Sequence, residues 1–151
     1  MRFCEQLLME SVRLAQRSLT LRKVVKELRF DCGDEVYTIQ PGVYIATMLS
    51  VTNTRTPELA HFDPDHYQGR KIDPQLIVDG KETVSTFGHG AHACPAQKFS
   101  HNMCKVLLAL LLENFEFERL AGTIDPSSTQ MGGVARAAQD VVLRYVRKSR
   151  S

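Results

Sequence analysis

No stretch of this chain is apolar enough to cross a membrane. The longest uninterrupted apolar run, Val106 to Leu112, is seven residues, against the roughly 20 that a helix needs to span a bilayer. The N-terminus, broken by Arg2, Glu5, Glu10 and Arg13, does not read as a signal peptide. Charge of one sign is scarce as well: 19 Lys and Arg against 17 Asp and Glu leave a formal +2, which argues against a nucleic-acid partner. Cysteine is sparse. Cys4, Cys32, Cys94 and Cys104 form no dense framework, so the expectation is no disulfides and a reducing compartment: the cytoplasm, or the cytoplasmic face of a membrane if an anchor lies upstream. Internal repeats and composition breaks are absent too, and 151 residues with 43% hydrophobic content make one globular domain.

What is present is one unusual run, Phe87-Gly88-His89-Gly90-Ala91-His92-Ala93-Cys94-Pro95-Ala96-Gln97. Two glycines let the backbone adopt positive φ and approach a flat ligand without Cβ clashes. Pro95 suits a first helical position, and Gln97 to Leu112 has helix-forming composition. Cys94 therefore stands at the mouth of a helix, where the dipole and unpaired N–H groups favour a thiolate. A thiolate is a metal ligand or a nucleophile. Two other readings stand beside this one. Cys94 could be an inert, buried small hydrophobe. Alternatively His89, His92, Cys94, His101 and Cys104 lie within sixteen residues, a ligand set suited to a zinc-stabilised structural module, although no finger spacing is present.

Phe-Gly-x-Gly-x-His-x-Cys resembles the haem-binding signature of the cytochrome P450 family, the haem-thiolate monooxygenases; Ala96 stands where that family usually has a third glycine. The resemblance implies haem b bound by Phe87, Gly88, Gly90, His92 and Cys94, with Cys94 as the axial iron ligand. Phe87 would screen the sulfur, and His92 would meet a haem propionate. Glu10-Ser11-Val12-Arg13 is similar to the family's Glu-x-x-Arg motif, whereas the spacing alone reads as a solvated ion pair. The family completes that pair with an arginine in a Phe-x-Pro-x-Arg frame. Here the frame is Phe62-Asp63-Pro64-Asp65-His66-Tyr67, so His66 stands in the arginine's place, and Arg70 is a possible substitute. Ser18-Leu19-Thr20-Leu21-Arg22 resembles the branch of bile-acid and oxysterol hydroxylases and prostacyclin synthase, in which the residue matching Arg22 points at a propionate.

The pattern of residues sets the remaining expectations. An amphipathic helix over 3–19 buries Cys4, Leu8, Val12, Ala15 and Leu19 and exposes a charged face. Strands over Val24 to Phe30, Val36 to Ile39 and Val43 to Thr47, joined by turns at Asp31-Cys32-Gly33-Asp34 and Gln40-Pro41-Gly42, form a small antiparallel sheet. A short helix over Met48 to Glu58 precedes an irregular segment from His61 to Thr86, with Phe62 and Tyr67 as core contacts. A helix over Ala96 to Asn114 buries Phe99, Met103, Val106, Leu107, Leu110 and Leu111. Strands over Phe115 to Leu120 and Val141 to Val146 close the chain.

The fold class is thus α+β, mainly α. The resemblance makes residues 1–151 the C-terminal part of a single P450 domain: Glu-x-x-Arg helix, small antiparallel sheet, meander, cysteine loop, long helix and terminal strands. It implies insertion of one oxygen atom of O2 into an apolar small molecule, for which the branch suggests a sterol or lipid, with electrons from an NADPH-dependent reductase or a ferredoxin. The family's terminal loop nominates Thr129 to Gly132 for substrate contact. Because Glu10 is preceded by nine residues, the family's oxygen-activating helix has no counterpart, and a truncated haem-binding or interaction protein without turnover is the alternative.

Overall fold

The computed structural model describes residues 2–67, 77–78, 81–82, 86–88, 90–122 and 124–149. Helix α1 runs over Arg2–Ala15, shorter than its apolar pattern. The chain is captured just beyond it. Ala15 and Arg17 exchange backbone hydrogen bonds with Gly132, Gly133 and Ala135 at 2.7–3.0 Å, which redirects the carbonyl and amide groups that another helical turn would need.

The inward face of α1 also differs from expectation. Gln6, Met9, Glu10 and Arg13 are the buried residues, spaced i, i+3, i+4 and i+7 as one helix face requires. Of the expected apolar stripe, Cys4, Leu8, Val12 and Ala15 are half-buried and Leu19 is exposed. Hydropathy favours the other face, but a charge pair whose every polar atom is bonded inside the protein can be buried without leaving orphan groups.

Strand β1, Leu19–Lys23, pairs antiparallel with β4, Tyr44–Met48, in the register Leu19↔Met48 to Lys23↔Tyr44. Nested between them, β2, Leu28–Asp31, pairs with β3, Val36–Ile39. The expected strand over Val24 to Phe30 is therefore confined to Leu28–Asp31, and β1 before it was not expected. Val24 N–H donates to the Val43 carbonyl and the Val24 carbonyl accepts from Gly42, both at 2.8 Å. These bonds close the outer ladder before the inner hairpin starts, and two nested ladders replace one three-stranded sheet.

Helix α2 covers only Leu49–Thr52: Pro57 has no N–H to offer the Asn53 carbonyl four residues before it, and that carbonyl accepts from Arg13 instead. Two short 3-10 turns follow, Glu58–Ala60 and Pro64–Tyr67. Within the segment expected to be irregular, β5, Ile77–Val78, pairs with β6, Lys81–Glu82. Helix α3 spans Gln97–Asn114. It leads into β7, Phe115–Ala121, which pairs with β8, Val142–Arg147, through a register shift between Arg119 and Ala121.

The described residues form a small mix of helix and sheet, as the α+β class requires. The buried apolar residues are Met9, Val24, Leu49, Leu59 and Tyr67, beside buried Gln6, Glu10, Arg13, Asn53 and Thr86. Tyr67 is in the core as expected. Phe62, however, is exposed, and so is the α3 stripe, with Phe99 70% exposed and Met103, Val106, Leu107, Leu110 and Leu111 at least 45% exposed. Helix α3 meets α1, β7 and, through His101, Phe87, and its apolar stripe stays exposed.

Candidate functional site

The run containing Cys94 closes on itself. Cys94 N–H donates to the Phe87 carbonyl at 2.7 Å, and Gly90–His92 form a 3-10 turn within the loop. Gly88 has φ +75°, and a Cβ there would lie 2.9 Å from the His92 carbonyl oxygen. A side chain at that position is excluded by both backbone strain and space. Gln97 N–H donates back to the Cys94 carbonyl at 3.3 Å. Helix α3 thus begins at Gln97, with Ala96 at its cap, and Pro95 precedes the helix instead of opening it. Cys94 stands at the head of α3, a free and half-buried thiol.

Two neighbours hold the loop. From the end of α1, Gln16 Nε2 donates to the Thr86 carbonyl at 3.1 Å. From α3, His101 packs against the Phe87 ring edge-to-face, with centroids 5.0 Å apart and planes at 83°. Glu5 on α1 and Lys105 on α3 approach to 3.8 Å, which ties the two helices together. Burial holds the His101 imidazolium below the ordinary histidine range; Glu5 pulls the other way and Lys105 adds to the lowering.

The buried face of α1 carries a polar lock. Arg13 Nε and one terminal nitrogen fork onto Glu10 at 2.7 and 2.6 Å. Its remaining N–H groups reach the carbonyls of Asn53 and Leu59 at 2.5 Å and of His61 at 2.9 Å, so all five donors are used. Glu10 Oε1 also accepts from Asp63 N–H at 2.9 Å and lies 3.1 Å from His66 Nδ1. Both members of the pair are fully buried. His66 therefore occupies the place of the expected arginine, whereas Arg70 lies outside the described residues. Tyr67 is buried beside this pair, and its hydroxyl has no partner among the described residues. Burial, and after it the Glu10 charge, push that phenol upward, against a smaller opposing effect of Arg13.

The other expected site residues are placed differently. His92 is exposed on the loop. Arg22 is exposed on β1, with its guanidinium donating to the Leu21 carbonyl at 2.8 Å. His89 lies outside the described residues. Among those described, no three His, Cys, Asp or Glu side chains gather as a metal cage, so His92, Cys94, His101 and Cys104 do not assemble the zinc set. One sulfur on a glycine-rich loop fits a metal that brings its other ligands with it, as iron does in a porphyrin.

Sequence reasoning missed the contact of His101 with Phe87 and that of Gln16 with Thr86. A histidine seven residues after Cys94 was visible, but no spacing rule links it to Phe87. A separate cleft of about 990 Å³ is lined by Leu14, Arg17, Met48, Val51, Gln130 and Met131 among others, and by no residue of the Cys94 loop.

A family model described as Cytochrome P450 matches residues 1–143. Similar curated proteins include the cytochrome P450 monooxygenase prx8 of Penicillium rubens, 32% identical over 129 residues, with 78% of this chain and 23% of that protein covered. The 25-hydroxycholesterol 7-alpha-hydroxylase of Rattus norvegicus is 25% identical over 163 residues, covering 96% of this chain and 37% of that protein. Cytochrome P450 7A1 of Sus scrofa is 26% identical over 162 residues, covering 93% and 30%. The chain thus spans between 23% and 37% of the length of these three relatives.

Proposed function

This chain belongs to the cytochrome P450 family, and from that premise we propose that it is the haem-binding, C-terminal part of a single P450 domain, with Cys94 as the thiolate ligand of haem b. The observation that carries this reading is the closed loop. Cys94 is fixed by its own N–H on the Phe87 carbonyl, Gly88 has positive φ where a Cβ cannot fit, and the thiol is free and half-buried.

In this reading Gly88 and Gly90 allow the backbone to approach the porphyrin, Phe87 keeps water from the sulfur, and His92 and Arg22 neutralise the propionates. The Glu10–Arg13 lock holds the segments 53–66 rigid, so the sulfur keeps one position as ligand. When bound, haem b supplies O2 activation and the insertion of one oxygen atom into a C–H bond of an apolar substrate. Cys94 would hold the haem iron, and its thiolate would supply electron density to that metal. Electrons come from an NADPH-dependent reductase or a ferredoxin in a reducing compartment. The hydroxycholesterol named for the rat relative supports a sterol or lipid substrate, with the loop Thr129 to Gly132 as a contact. The near-neutral charge supports no nucleic-acid partner.

A second reading, haem binding without turnover, is favoured by His66, which offers Glu10 one ring nitrogen where arginine would offer a fork. The test is to load the chain with haem, reduce it, add carbon monoxide and record the Soret band. The thiolate-specific red-shifted band is expected in the wild type and absent in Cys94→Ala. An unchanged band in the variant overturns the ligand assignment. Hydroxylation of a sterol with a supplied redox partner then separates monooxygenase from binding protein.

A further inference from the structure

His101 has no role in the reading above, yet it is placed to act on the cysteine loop. It lies on the second turn of α3, and its ring meets Phe87 at 5.0 Å in the edge-to-face arrangement that aromatic rings prefer. Its Nε2 is buried and has no hydrogen-bond partner among the described residues. A neutral imidazole tolerates one unpaired acceptor there, whereas a protonated ring would bury an uncompensated N–H and a charge. The charged groups that face it are Glu5 from α1 and Lys105 from its own helix. These two lie 3.8 Å from each other. The Phe87 ring contacts His101 while the Phe87 carbonyl accepts the Cys94 N–H at 2.7 Å. A shift of Phe87 is therefore felt at the cysteine within one hydrogen bond.

Resting on the haem-thiolate reading of Cys94, we propose that His101 is a positioning residue whose neutral ring holds Phe87 against the cysteine loop and so keeps the sulfur screened from water. Burial disfavours the imidazolium in the folded protein. The packing contribution is accordingly complete above the ordinary histidine range and is lost as the pH falls through the lower folded value. Acid then protonates His101, expels its ring from Phe87 and admits water to the sulfur.

The test follows the red-shifted carbon-monoxide Soret band of the haem-loaded full chain from about pH 7.5 to about pH 5, across the histidine range. In the wild type the band is expected to disappear with an acid midpoint. His101→Phe keeps a ring for Phe87 to pack on but has nothing to protonate, and it is expected to lower that midpoint by about one pH unit. In a Phe87→Leu background, chains with and without the His101→Phe substitution are expected to share one midpoint, because the route of action is gone. Equal midpoints with Phe87 in place overturn the proposal, as does a difference that persists after Phe87→Leu. Absence of the band from the wild type at every pH overturns the haem-thiolate reading itself, and the inference with it. If circular dichroism shows that His101→Phe fails to fold, His101→Tyr, whose ring is also neutral across this range, carries the same expectations.

Discussion

Arg13 donates all five of its N–H groups inside the protein, and Glu10 is met by three residues, Arg13, Asp63 and His66. Removing one member of such a buried pair leaves the other charge uncompensated, at a cost of about 3–5 kcal/mol. Arg13→Ala is expected to lose that much stability in chemical denaturation, and a loss below 1 kcal/mol on the order of a surface pair would contradict the lock. His66 offers a milder test. His66→Arg supplies a second charged hydrogen bond to Glu10 and is expected to raise Tm by about 2–4 °C. A lower Tm would mean that the pocket does not accept a guanidinium. At Gly88, alanine meets both the positive φ and the His92 carbonyl. The expected cost is about 1–3 kcal/mol, read by thermal melts, together with weaker haem uptake.

At the scale of elements, α1 is the bracket of the structure: one face holds the Glu10–Arg13 lock, Gln16 holds the start of the cysteine loop, and Glu5 reaches α3. Its helical period was legible in the sequence, but the direction of its buried face was not. Hydropathy assigns charge to water and has no way to register the internal acceptors that Asn53, Leu59 and His61 bring from far along the chain. The confinement of the expected strand to Leu28–Asp31 has a similar origin, because Val24 pairs with Gly42 and Val43 outside the inner hairpin. In contrast the inner hairpin, the cysteine loop and both long helices are written in local signals: turn residues, two glycines and 3.6-residue periodicity. Burial gives this scale its test. Leu59→Ala, in the core at 1% exposure, is expected to cost about 2–4 kcal/mol. Leu107→Ala on α3, 52% exposed, is expected to cost about 0.5 kcal/mol. Equal costs measured in urea would show that the α3 face is covered in solution.

For the molecule as a whole, the site signature was far more legible than the packing around it. The Phe87 to Cys94 run sets particular residue types at fixed spacing, so the sequence could point directly to the family that matches residues 1–143. The apolar stripe of α3 reads as core in any sequence, since period alone cannot say whether a partner surface exists, and here Phe99 and Met103 face outward. An apolar helix face exposed on this scale binds hydrophobic dyes and promotes self-association. The isolated chain is expected to enhance the fluorescence of such a dye and to sediment as more than a monomer at micromolar concentration. Charged substitutions at Val106 and Leu110 are expected to suppress both signals, and no change on substitution would place the sticky surface elsewhere.

The central claim is that the Cys94 sulfur holds haem iron. It is tested most directly by iron K-edge X-ray absorption on the haem-loaded chain. The expected result is one sulfur scatterer in the first coordination shell, absent in Cys94→Ser. A first shell of nitrogen and oxygen alone in the wild type would contradict it, as would a sulfur signal that survives the substitution.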